Sequence, residues 1–84
     1  MLKKSQDYAG WAMLMYELDD AREALEKLVN EMNSDSGFSE EGLKIDLGHI
    51  YGHLNRAWYI RNGEKGINEE RDSQIKFPTD IEPI

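Results

Sequence analysis

The chain has 84 residues, enough for one small domain whose own core is marginal, since a chain of this size buries only about 60–65% of the surface its unfolded form exposes. Its 17 acidic and 10 basic residues give a net charge of −7, which argues against a direct nucleic-acid binder, because counterion release along phosphates needs clustered Lys and Arg. The absence of cysteine excludes disulfides, thiolate zinc sites and thiol catalysis, and no segment reaches the length of a membrane span.

The N-terminal stretch carries Lys3 and Lys4 and a short apolar patch, Trp11 to Tyr16, which is too short for a secretory leader and runs into acids. A cytoplasmic location is therefore expected. From about residue 5 to 32 the pattern predicts one long amphipathic helix. Its apolar positions, Tyr8, Trp11, Met15, Leu18, Ala21, Leu25, Leu28, Val29 and Met32, recur at helical spacing, and they are expected to form the face that packs. The polar run Asn33–Gly37 then ends the helix.

A second helix is predicted from about residue 39 to 62. Ser39 is a good N-cap, Glu40 and Glu41 suit the positive end of the macrodipole, and Phe38 and Leu43 stand at the positions of a hydrophobic staple. Its stripe is Leu43, Leu47, Ile50, Leu54, Ala57 and Trp58, and Asn62-Gly63 is its stop signal. Residues 63–84 read as irregular, with a short third helix or turn near 68–74 and an extended apolar tail held straight by Pro78 and Pro83. The expected fold is all-α. An antiparallel two-helix hairpin forms a single unit over residues 1–84, and because two helices share only one interface, self-association into a helical bundle is expected.

Gly48 and Gly52 cost the second helix nearly 1 kcal/mol each relative to alanine, so the space they leave should serve a purpose. They share a face with Ile45 and Tyr59, roughly opposite the apolar stripe. An interaction surface is therefore expected at Gly48, Gly52 and Tyr59, extended by Phe77 and Ile81 of the tail.

His49 and His53, four residues apart, and Asp46, three residues before His49, lie along one edge of the second helix. That spacing suits a divalent transition metal, with Asp19, Glu23 or Glu26 of the first helix opposite; against it stand the missing third histidine and the position beside, rather than within, the apolar stripe. Along the other edge Tyr51, Asn55 and Trp58, with Arg61, combine stacking faces with amide and guanidinium donors suited to a nucleotide-like ligand. No phosphate loop accompanies them. Two structural uses compete: a cation–π contact of Arg61 with Trp11 at the open end, and pairing of Arg22 with Glu26.

Glu17-x-x-Asp20 and Glu23-x-x-Glu26 have the spacing of a magnesium-binding carboxylate ladder, which is also the spacing of an ordinary solvated helix face. No serine is linked to a base by a recognisable motif, and catalysis is not expected. The first expectation for function is a small acidic interaction module, an adaptor, inhibitor or regulator, whose partners are a second copy of itself and another protein. The alternative is a nucleotide-like or metal-binding hairpin.

Overall fold

The computed structural model describes residues 1–62, 81, 83 and 84. Two helices pack against each other: α1, Tyr8–Ser34, and α2, Glu40–Tyr59. At a 1.5 Å rise their 27 and 20 residues span about 40 and 30 Å. The helical hairpin is as expected. The third helix and most of the tail fall outside the described residues.

Caps place the helix ends. The chain turns at Lys4–Gln6, and the Asp7 carboxylate accepts the Gly10 N–H at 2.9 Å, so α1 opens after Asp7 rather than near residue 5. A Cβ at Gly10 would lie 2.5 Å from Asp7 Oδ2 and 3.1 Å from the capping Oδ1, so a larger residue there would push the Asp7 carboxylate out of its capping position. At the far end α1 runs two residues past Met32. The Ser34 hydroxyl bonds back to the Asn30 carbonyl at 2.8 Å, and Asp35 then turns the chain, accepting the Gly37 N–H at 2.9 Å. Ser39 caps α2 as expected, accepting the Gly42 N–H at 3.1 Å, while the Phe38 ring lies over Gly42. α2 ends at Tyr59, short of Asn62. At the open end the Leu2 N–H donates to the Arg61 carbonyl at 2.7 Å, and Leu2 is buried there near the cluster of Leu14, Ala57 and Ile60.

The packing face of α1 departs from expectation. Its buried residues are Gly10, Leu14, Ala21 and Leu28, with Glu17 and Ala24 half-buried between them. Of the nine residues expected to pack, only Ala21 and Leu28 are buried; Tyr8 is 72% exposed, and Met15, Leu18, Leu25, Val29 and Met32 are 40–49% exposed. On α2 the inward positions are Asp46, Ile50, His53, Ala57 and, just past the helix, Ile60. Ile50 and Ala57 are buried as expected, whereas Leu47 and Leu54 are 36% and 43% exposed. The physical reason lies in two features of the contact. Gly10, Ala21, Ala24 and Ala57 are small enough to permit close packing of the two helices, and Glu17 meets His53 and Arg56 across the interface on α2.

Each helix therefore carries two adjacent seams. The inner seam of α1 is 10, 14, 17, 21, 24, 28, and the outer seam is that series advanced by one residue: Trp11, Met15, Leu18, Arg22, Leu25, Val29. In α2, 46, 50, 53, 57 is likewise followed by Leu47, Tyr51, Leu54 and Trp58. One residue is a rotation of about 100°. Because the helices are antiparallel, that rotation carries both outer seams to the same side of the hairpin, where they form one apolar face. The opposite rotation brings Met13, Asp20, Glu23, His49 and Arg56 to a polar face.

Candidate functional site

The polar face is organised around Glu17. Its Oε2 lies 2.8 Å from His53 Nδ1, and Arg56 Nε donates to Oε1 at 3.1 Å. Both partners project from α2, three residues apart, so a single helical turn grips the carboxylate from two directions. Arg56 Nη2 also lies 3.0 Å from His53 Nδ1. One ring nitrogen cannot donate to Glu17 and accept from Arg56 together. With the proton on Nδ1, His53 donates to Glu17 and the Nη2 approach is only a close contact; with it on Nε2, Nδ1 accepts from Arg56.

Among the described residues, the His and carboxylate groups brought within metal-ligand reach are Glu17, Asp20 and His53, whose ligand atoms all lie within 4.8 Å of one another. The expected trio is arranged differently. His53 is drawn into the Glu17 cluster, His49 is exposed, and Asp46 is half-buried, sharing with His49 a groove floored by Ala24 and Leu28. The opposing carboxylates are Glu17 and Asp20, not Asp19, Glu23 or Glu26. Asp19 instead pairs with Arg22 at 2.6 Å, in place of the Arg22–Glu26 pair expected from spacing. Arg56 already supplies a positive charge at Glu17, so a divalent ion there would have to displace a guanidinium as well as water.

The other edge of α2 is more covered than its composition suggests, although it lies away from the seam that faces α1. Arg61 stacks on Trp58, 3.9 Å from the ring centroid, and its Nη1 donates to the Trp58 carbonyl at 2.8 Å. The expected partner, Trp11, is replaced because a residue three positions earlier on the same chain is closer than one on the other helix. Asn55 is fully buried, while Tyr51 remains about half exposed. Stacking surface and polar donors along this edge are thus largely committed within the chain.

The two glycines differ. A Cβ at Gly48 would meet nothing within 4 Å, whereas Gly52 is buried beneath the Arg56 guanidinium, whose Nη1 lies 3.4 Å from the Cβ position. Tyr59 is half-buried, Ile81 is exposed, and Phe77 lies outside the described residues. Sequence reasoning missed Arg56 as the second partner of Glu17 and Leu2 as the closure of the open end. The first was signalled by Glu17 itself, the one charged position in an otherwise small and apolar 4-3-4-3 series.

Comparison with family models, curated proteins and solved structures found no match to this chain. Among the described residues no helix is long and apolar enough to cross a membrane.

Proposed function

We propose that the protein is a small acidic helical interaction module, an adaptor, inhibitor or regulator, which works by covering its apolar face with protein and associates into a helical bundle in doing so. One observation carries the reading. The outer seams of α1 and α2 leave Met15, Leu18, Leu25, Val29, Leu47 and Leu54 on one side of the hairpin and 36–49% exposed, an apolar patch interrupted on α1 by Arg22 and of the kind that marks interaction surfaces. The C-terminal tail, with Phe77 and Ile81, is the second element through which the module engages a partner. The test is a photo-crosslinking side chain placed at Leu25, on the apolar face, and separately at Asp20, on the polar face, in the producing cells. Protein adducts from position 25 and not from position 20 are expected. Adducts from both faces alike, or none from position 25, would overturn the reading.

A second reading, a divalent transition metal on the polar face, is favoured by the approach of Glu17, Asp20 and His53 to within 4.8 Å of one another. Zinc or nickel titration of the wild type against His53→Ala tests it. Equal binding by the two proteins would remove it.

A further inference from the structure

We propose that the occupant of the apolar face is a second copy of this chain, arranged so that α1 lies antiparallel along α2 of the partner subunit about a two-fold axis parallel to the helices. The inference rests on the interaction-module reading and specifies its partner.

The angle between the seams suits a square bundle. A helix in a four-helix bundle of square cross-section has two neighbours about 90° apart around its axis. In α1 and in α2 alike, the outer seam is the inner seam advanced by one residue, about 100°. Both seams keep the alternating three- and four-residue spacing of knobs-into-holes packing. A single partner helix in the groove would make a triangular bundle, in which the two neighbours of each helix lie about 60° apart; the 100° offset of the seams matches the square bundle that a second hairpin makes.

The extent of the face suits a second copy as well. The face is as long as α2, about 30 Å, and two helices wide, about 20 Å, or on the order of 600 Å². Two copies together would bury roughly 1,200 Å², which clears the threshold of about 1,000 Å² for a specific interface.

The levels of the two helices select the pairing. Contacts of Glu17 with His53 and of Leu14 with Ala57 fix the levels of the two helices, putting Leu18 level with Leu54 and Leu25 level with Leu47. A two-fold parallel to the helices preserves those levels, so leucine meets leucine across the interface. Arg22, the one charge within the outer seam of α1, then lies level with Tyr51 of the partner subunit, where a guanidinium over an aromatic ring is favourable. It would carry its own counter-charge, Asp19, with it. The competing two-fold, perpendicular to the helices, sets α1 against α1 and places the two Arg22 side chains on each other at the axis, which like-charge repulsion disfavours.

The chain has no cysteine, so single cysteines report the pairing directly. Leu25→Cys mixed with Leu47→Cys and mildly oxidised should give a covalent dimer, and neither variant alone should. These positions are half-exposed, and retained helicity by circular dichroism checks that the variants fold. Cross-linking of Leu18→Cys with Leu25→Cys instead would overturn the proposed pairing in favour of α1 against α1. A monomeric mass for the wild-type chain in sedimentation equilibrium at micromolar concentration would overturn the second copy altogether. In that event a photo-adduct from position 25 with a mass other than that of a dimer would leave the interaction-module reading standing.

Discussion

The two seams of α1 lie one residue apart, share their spacing and a single charge each, and differ in the size of their side chains. The inner seam is small and interrupted by an acid: Gly10, Leu14, Glu17, Ala21, Ala24, Leu28. The outer seam is bulkier and more apolar, with Met15, Leu18, Leu25 and Val29, yet it is the inner one that meets α2. Apolar area alone would choose the other way. The inner seam wins because small side chains permit close packing and because Glu17 finds two hydrogen-bonding cationic or imidazole partners there. The difference teaches that the largest apolar stripe of a short helix need not be its intramolecular core; it can be the surface reserved for another chain.

The sharpest way to break this comparison is to truncate one leucine from each seam. Leu14→Ala empties a buried position beside Ala57 and Ile60 and should cost about 3 kcal/mol in urea denaturation. Leu25→Ala removes a half-exposed side chain and should cost about 1 kcal/mol or less at protein concentrations low enough to keep the chain monomeric. Equal losses would mean that the seams are equivalent.

The charges of the two seams allow a second test. Glu17→Ala leaves His53 and Arg56 half-buried without their carboxylate and should cost about 2 kcal/mol. A double-mutant cycle of Glu17→Ala with Arg56→Ala should return a positive coupling energy. Arg22→Ala, by contrast, breaks an exposed i, i+3 pair and should change hairpin stability by less than about 0.5 kcal/mol, while weakening association of the two copies.

The smallest effects belong to the glycines of α2. Gly48→Ala places its Cβ in open space and should stabilise the helix by roughly 0.5–1 kcal/mol, raising the thermal midpoint. Gly52→Ala should gain less, because the new methyl group presses on the Arg56 guanidinium that lies over it. A larger gain at position 52 than at 48 would show that Arg56 is not held in place by Glu17.

Of the candidate site, the residues legible from sequence were those with short-range signatures. Asp46, His49 and His53 announced a polar edge by their three- and four-residue spacing, and the structure keeps them along one side of α2. Their partners were not legible. Glu17 and Asp20 stood out only as a carboxylate ladder, and nothing in their spacing told Glu17 from Asp19 or Glu23 as the acid that meets His53. That choice depends on the register of the two helices, which brings together residues 36 apart in the chain. Arg61 and Trp58 show the reverse case. Their contact is local, and the pattern that points to the distant Trp11 passes over the neighbour one turn away.

Sequence by itself determined the helical hairpin: two stretches of helical periodicity, a polar turn at 33–37, a strong cap at Ser39 and no cysteine or membrane-length segment. All of these are local, set by backbone preferences and hydrogen bonds within a few residues. Only the tertiary structure decided which seam of each helix faces inward. A heptad pattern repeated one residue later is a second, equally periodic pattern rotated by about 100°, so periodicity cannot rank the two. The ranking came from across the hairpin, where His53 and Arg56 stand on the one side of α2 from which they can reach Glu17.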